Sequence, residues 1–433
     1  MRFGYGTNGF DNHRLDDALA ILADLGYDGV AITLDHHHLD PYSFPDVSRI
    51  ARRLGDLGLS CVVETGARYL LDPWRKHQPT LFDSDRRIDL LRRACAMAAD
   101  LGATAVSFWS GSPPDLEDPW DRLTHACAEV LEAADRYRVP LGFEPEPGMF
   151  IDTIDGYLAL RDRLGAPDLF GLTLDIGHCR CLEPAPVAEC VRRALPYLVN
   201  VQIDDMRRGV HEHLEFGEGE IEFAPVLAAL RDFPGLVAVE LPRHSHAAVD
   251  VARRSLAFLR KAESMARSLH EACDLLRTEP RKIATLFPAA ARTWGEESRQ
   301  QLIAALPRDA AARELPDLYR YGDAGEKLAV LRALEAIDGD EGVPLVLDAL
   351  RTNDTRLIES AMGGYAAAHL PADAWRQGVL KCVFCGIPLA RVAGLGQRTD
   401  PELVRMLADY ARERTAAGRE VAADVMEVVH AHL

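Results

Sequence analysis

The chain has 433 residues, 48% of them hydrophobic and 27% charged, and a net charge of −18. This is material for two to three domains, or for one barrel of roughly 250 residues plus a smaller unit. The acidic balance argues against a nucleic-acid partner, whose phosphates need clustered Lys and Arg, and favours small molecules.

From the N-terminus, short apolar runs alternate with amphipathic stretches. Strands are expected at Phe3–Thr7, Gly29–Leu34, Ser60–Thr65, Ala105–Trp109, Pro140–Glu144, Phe170–Asp175, Leu198–Ile203 and Leu236–Glu240. Between and after them, apolar residues three and four apart predict helices over 15–25, 46–57, 85–101, 118–137, 153–164, 186–195, 223–231 and 247–264. Asp85, Asp118, Asp152 and Thr153 stand where helix caps are needed, and Pro186 suits a first turn. Eight strand–helix units in succession predict a (β/α)₈ TIM barrel over residues 1–264. An open doubly wound sheet is the alternative, but Gly4-Tyr5-Gly6 lacks the rest of its Gly-rich fingerprint.

Over 265–433 the strand signal disappears, and an all-α helical-repeat domain of HEAT type is expected. Its stripes are Leu328, Leu331, Leu334 and Ile337; Val343, Val346, Leu347 and Leu350; and Leu357, Ile358, Ala361, Met362 and Tyr365. Turns fall at Asp338-Gly339-Asp340 and Asn353-Asp354. The nine cysteines fit reduced thiols, and Cys382/Cys385, despite CxxC spacing, lie in an apolar helical stretch that suits buried packing. No apolar run approaches bilayer length, and Met1-Arg2-Phe3-Gly4-Tyr5 leads straight into a strand, so a cytoplasmic protein without membrane insertion is expected.

Chemistry concentrates where the last four barrel strands end. Glu144, Asp175, Gln202 and Glu240 close four successive strands, at the rim where barrel enzymes keep their active sites. Together they form an all-oxygen set suited to one hard divalent cation, Mn, Mg, Co or Zn. A carboxylate pair at the fifth and eighth strands can face each other across the mouth, one removing a proton next to a carbonyl and the other returning one. His178 follows Asp175 by three residues and either contacts substrate or is satisfied within its turn. Glu146 shares a strand side with Glu144, and Glu64 and Trp109 reach the predicted mouth. His36-His37-His38 reads as a solvated loop rather than a metal tract.

On these residues, together with Asp204-Asp205 and the stretch from His211 through Gly217-Glu218-Gly219-Glu220-Ile221, the first 264 residues resemble the xylose-isomerase-like TIM-barrel superfamily of sugar (phosphate) isomerases and epimerases. The Glu/Asp/Gln/Glu order is most similar to the hydroxypyruvate isomerase branch. The resemblance implies a divalent cation on Glu144, Asp175, Gln202 and Glu240, with Glu144 and Glu240 also as the acid/base pair. It implies substrate contacts from His178 and from Arg208 or its neighbour Arg207, and a substrate or second-ion role for His213 in the Gly-Glu-Gly loop. The implied activity is isomerisation or epimerisation of a sugar, sugar acid or cyclitol through an enediolate. No Gly-rich phosphate loop stands out, which favours an unphosphorylated substrate.

Residues 268–433 resemble the EboA family of bacterial Ebo clusters, which are associated with moving or finishing a secondary metabolite. That resemblance offers a competing function, a non-catalytic metabolite-binding or trafficking protein, and a protein partner through the helical domain. A homodimer is left open. The barrel also resembles endonuclease-IV-like repair nucleases through Asp175/His178 and His211/His213. Those need histidines at the third and fourth strands, which here end in Glu64 and near Ser107.

Overall fold

A computed structural model describes residues 1–83, 85–113, 117–337 and 339–431. The chain divides into two compact units, Met1–Ala266 and Arg267–Leu433. Among the described residues, no helix is long and apolar enough to cross a membrane.

Among the described residues the first unit holds ten strands: β1 (Arg2–Gly6), β2 (Gly29–Thr33), β3 (Ser60–Glu64), β4 (Val106–Phe108), β5 (Leu141–Phe143), β6 (Phe170–Asp175), β7 (Leu198–Ile203), β8 (Asp205–Arg207), β9 (Val210–Leu214) and β10 (Leu236–Val239). Eight of them close a barrel in the order β1-β10-β7-β6-β5-β4-β3-β2, every neighbour parallel. β8 and β9 form a separate antiparallel ribbon. A strand covered on both faces gains from apolar residues at every position, which is why β2, β5, β6 and β10 read as unbroken runs and are buried throughout.

The interior of the barrel is filled by Ala31, Val62, Ala105, Leu236 and Ala238, a cluster distinct from the larger core under the helices. Small residues are required there: a Cβ on Gly4 would lie 2.6 Å from Leu236 Cδ2. The helices that follow the strands run close to expectation, among them Leu15–Leu25, Asp85–Leu101 and Pro119–Tyr137. Asp118 and Thr153 accept the backbone N–H of Asp121 and Gly156 as N-caps. The helix expected over 247–264 is longer and spans Ala248–Thr278.

In the second unit helices follow one another from Ile283–Trp294 to Ala423–Ala431. Leu357, Ile358, Ala361, Met362 and Tyr365 are all buried, but the expected single stripe is split between the helix Thr355–Ala361, with Met362 at its end, and the helix Gly364–His369 that carries Tyr365. The neighbouring stripe is corrected: Leu347 is 40% exposed, and Leu345, Val346 and Ala349 face the core. Val343–Ala349 is only seven residues long and carries Pro344 in its first turn, too short for its spacing to define a face. Asp354 caps Thr355–Ala361, while Asp338 of the other expected turn lies outside the described residues. All nine cysteines are free thiols, Cys382 buried and Cys385 partly exposed.

Candidate active site

The C-terminal ends of the barrel strands open into a cavity of about 570 Å³, lined by Glu64, Trp109, Glu144, Glu146, His178, Gln202, His211, His213 and Glu240 among others. Each acid is held by the strand ladder that delivers it. The N–H of Glu144 donates to Phe108 O at 2.8 Å, and that of Glu240 to Ile203 O at 3.1 Å. Asp175 ends β6 in register with Gln202 on β7. The four residues thus stand on adjacent strands, β10, β7, β6 and β5.

Asp175, 1% exposed, caps the short helix Ile176–Leu182: its Oδ1 accepts the His178 N–H at 2.9 Å. Its Oδ2 and Gln202 Oε1 are buried without a hydrogen-bond partner among the described residues. His178 Nδ1 lies 3.1 Å from Pro145 O and 3.7 Å from Glu144 Oε1, and its Nε2 lies 3.1 Å from His211 Nε2. Glu240 Oε1 accepts from Asn8 Nδ2 at 3.0 Å, and Glu64 Oε1 from Asn200 Nδ2 at 3.1 Å.

The ribbon β8–β9 brings in two histidines. Alternation along β9 puts His211 and His213 on one face. His213 Nδ1 lies 2.5 Å from Asp204 Oδ2, which directs the other ring nitrogen away from Asp204. Asp205 shapes the following loop by accepting the N–H groups of Gly217 (2.8 Å), Gly219 (3.0 Å) and Ile221 (3.1 Å). The expected place of His213 is therefore corrected: it sits in a strand, and Asp205 organises the Gly-Glu-Gly loop that follows. Arg208 is also placed differently. It sits in the ribbon's turn beside Gly209, which has φ 72°, and donates to the carbonyls of Arg180 and Glu183 outside the cavity lining.

Ligand atoms of Asp175, His213 and Glu240 lie within 4.8 Å of one another, and so do those of Glu144, Asp175 and His178. Two bare oxygens at the centre of an acid cluster, with His213 fixed from behind by a carboxylate, fit one divalent cation. The acids gathered here repel one another. Burial, then the repulsion of Glu240, raises Glu64 to about 8. Burial raises Glu146 to about 7, with Glu240 adding to it. Glu144 is raised well above the usual range, by burial first and then by its acidic neighbours, and burial raises Glu240. At Asp175 burial pushes upward, and the imidazoles with the His178 N–H more than offset it, leaving a carboxylate below its ordinary range. Burial lowers His178 to about 4. It opposes the charge on His213 as well, but Asp204 lifts that histidine to about 10.

The cavity has a second wall that sequence reasoning missed. Arg68, Lys76 and Arg243 line it, from the loops after β3 and β10. Trp109, flanked by the edge-on ring of His77 at 5.6 Å, is backed by the buried Arg87 guanidinium 4.2 Å above its ring. His211 and Asp204 were quoted only as parts of a motif. The alternation of Val210-His211-Glu212-His213-Leu214 is the signal that pairs the two histidines.

Residues 19–262 match the profile of the family described as xylose isomerase-like TIM barrel. Residues 274–430 match that of metabolite traffic protein EboA. An uncharacterised protein of Methanocaldococcus jannaschii is 24% identical over 255 residues, covering 55% of this chain and 83% of that one. L-ribulose-5-phosphate 3-epimerase UlaE of Shigella flexneri serotype 5b is 25% identical over 226 residues, or 50% and 77% of the two chains. Among solved structures, L-ribulose 3-epimerase superposes with a TM-score of 0.52 at 23% identity, over 62% of this chain and 97% of its own. D-allulose 3-epimerase from Methylomonas sp. gives 0.50 at 20% identity, over 60% and 98%. At these identities the superpositions show a shared fold.

Proposed function

The chain belongs to the xylose isomerase-like TIM barrel family, and from that premise we propose that its barrel is a divalent-metal-dependent isomerase or epimerase of a small hydroxy-carbonyl compound, working by proton transfer beside the carbonyl. The observation that carries this reading is the placement of Glu144 and Glu240 at the two ends of a four-strand arc, with Asp175 and Gln202 between them and one cavity lined by Glu144, Gln202 and Glu240.

Glu144, Asp175, Gln202, His213 and Glu240 are the residues that would hold the cation. Once bound, it supplies Lewis-acid polarisation of the substrate's carbonyl and hydroxyl oxygens. The chain's own groups do the rest. Glu144 and Glu240 reach the cavity from the two ends of the arc, so one can serve as base while the other serves as acid. Asn8 holds the Glu240 carboxylate, and Pro145 O orients the His178 ring whose Nε2 meets His211. Removal of the carbon-bound proton on one face and return of a proton from the other inverts a centre; return to the neighbouring carbon isomerises it.

Arg68, Lys76 and Arg243 at the mouth suit a substrate with an anionic terminus, a sugar acid or sugar phosphate. This departs from the sequence-based preference for an unphosphorylated compound. The curated relative named as an epimerase acts, by its name, on L-ribulose 5-phosphate. The nuclease alternative lacks support at β3 and β4, where Glu64 and Ser107 stand in place of histidines.

A second reading has one specific observation behind it, the EboA match over 274–430, and makes the chain a metabolite-binding or trafficking protein. Incubating the protein with ketoses, sugar acids, their phosphates and inososes in deuterated water separates the two. The proposal expects cation-dependent deuterium incorporation beside the carbonyl that Glu240→Gln abolishes. Binding of such compounds without exchange, unchanged in Glu240→Gln, favours the trafficking reading.

A further inference from the structure

A second set of ligand atoms is gathered on the β1–β2 side of the mouth. Asp11 follows β1, and Asp35 and His38 follow β2; one ligand atom of each lies within 4.8 Å of those of the other two. None of the three belongs to the arc of acids described above. Asp35 also lines the cavity, so an ion from solvent can reach it.

Each of these side chains is tied down through one polar atom and bare at the other. Asp35 Oδ1 accepts the N–H groups of His37 at 2.9 Å and His38 at 3.0 Å, while its Oδ2, on a residue only 2% exposed, has no hydrogen-bond partner among the described residues. Asp11 pairs through Oδ2 with Arg68 and leaves Oδ1 buried and unpartnered. His38 Nε2 lies 3.3 Å from Phe10 O and 3.2 Å from His13 O. Carbonyl oxygens only accept, so Nε2 carries the hydrogen and Nδ1 presents a lone pair, also buried and unpartnered. Each of the three residues therefore offers a bare lone-pair atom, and the three residues bring ligand atoms within 4.8 Å of one another. Groups that fix one atom of a ligand from behind while its other atom stays bare are what surrounds a bound metal.

We infer that Asp11, Asp35 and His38 hold a second divalent cation, distinct from the one at Asp175. Two carboxylates and an imidazole select a borderline ion such as Zn²⁺ or Mn²⁺ over Ca²⁺ or Mg²⁺, and three protein ligands leave room for water. The site ties the segment after β1 to the loop after β2, and through Arg68 to the loop after β3. That third loop holds Ala67, Arg68 and His77 at φ 55°, 28° and 63°, a left-handed conformation that non-glycine residues adopt only when their surroundings enforce it. Asn8, three residues before Asp11, donates to Glu240, and its carbonyl accepts from Arg68 at 3.2 Å. The second cation is thus a clip that positions the β1–β3 side of the cavity, and no proton transfer passes through it.

The test is a metal count on the full chain. Chelator-treated protein is titrated with Zn²⁺ and separately with Mn²⁺ by calorimetry, and bound metal is counted by plasma mass spectrometry after desalting. Two equivalents are expected in the native chain and one each in Asp35→Asn, His38→Gln and Asp175→Asn, every variant checked for a cooperative melt. Asp35→Asn/Asp175→Asn should hold none, and Zn²⁺ should raise the melting temperature of Asp175→Asn but not of the double variant. A single equivalent that survives Asp35→Asn and His38→Gln and is lost in Asp175→Asn overturns this site and leaves the proposed function standing. A single equivalent lost in Asp35→Asn and kept in Asp175→Asn supports this site and overturns the catalytic one. No uptake by the native chain overturns both.

Discussion

The barrel mouth and the helical unit use the same charged residue types in opposite ways. At the mouth Glu64, Glu144, Asp175 and Asp204 are all buried, and Asp175 Oδ2 and Asp204 Oδ1 have no hydrogen-bond partner among the described residues. In the helical unit the charges sit mostly outside, in short-range pairs such as Arg405 with Glu402 and Asp409, or Arg356 with Asp354. The exceptions there, Arg299 and Glu326, are buried and face each other at 3.9 Å. An exposed pair contributes at most about 1 kcal/mol. Gathering unpaired acids in a buried place costs stability, and that cost is accepted where chemistry or a cation requires it. What marks a functional site is therefore bare polar atoms under burial, and charge count says little.

The sharpest way to test that contrast is to remove one mouth carboxylate's proton chemistry while keeping its shape. Glu240→Gln keeps the volume and can still meet Asn8, so the fold should hold. Solvent-deuterium exchange should fall by about 10²–10⁴-fold, the range of general acid–base catalysis. A variant that exchanged as fast as the native chain would remove Glu240 from the acid/base pair.

Next in size is a pH effect on stability. Burial lowers His77 to about 4 from an ordinary 6.5, with its Nδ1 2.8 Å from Gly66 O. The unfolded chain then binds more protons than the folded one between those values. This contribution is therefore complete above pH 6.5 and is lost as pH falls through about 4. One such histidine amounts to at most about 3 kcal/mol. His178 is lowered to about 4 by burial and acts in the same direction. Urea unfolding at a series of pH values should show the decline, and His77→Gln should flatten it. In the helical unit Asp354 and Glu402 are lowered by their hydrogen bonds from Arg356 and Arg405, and such carboxylates lose their contribution only in the carboxylate range, so an equal decline there between pH 6.5 and about 4 would break the contrast.

A smaller effect is expected behind His213. Asp204→Asn keeps a hydrogen-bonding side chain at 2.5 Å from Nδ1 but removes the charge that orients and polarises the ring. Loss of such an outer partner typically weakens metal binding by about 10–100-fold. Calorimetric titration with Mn²⁺ measures it, and an unchanged affinity would leave His213 outside the ligand set.

How much of this was legible beforehand follows the same division. The barrel strands were readable because a parallel strand buried on both faces is an unbroken apolar run, and Glu144, Asp175, Gln202 and Glu240, at or just past the ends of β5, β6, β7 and β10, interrupt that run where the mouth begins. The ribbon was not. β8 is three residues long and β9 is mostly polar, so neither gives a hydrophobic period. Arg208 shows the consequence: the family resemblance, six residues past Gln202, makes it a substrate contact, and the turn at Gly209 sends it to the carbonyls of Arg180 and Glu183 instead. The cations of the opposite wall come from loops, which have no period at all. In the helical unit, helices of seven residues left the face of Leu347 undetermined.

The last prediction concerns the helical unit alone. Asp323 caps the helix Ala324–Ala333 in a capping box: its Oδ1 accepts the Glu326 N–H at 2.8 Å, and Glu326 Oε2 accepts the Asp323 N–H at 2.8 Å. Asp323→Ala removes one half of that exchange and should lower the stability of this unit by about 1 kcal/mol. Deuterium exchange at the barrel should be unchanged, because both hydrogen bonds of the cap lie within the helical unit. The two readouts together decide whether the contrast between the regions is functional as well as electrostatic. A loss of stability with full exchange leaves catalysis to the barrel. A parallel loss of exchange means that the helical unit takes part in turnover, and the EboA match would then describe a component of the enzyme in place of a separate handling module.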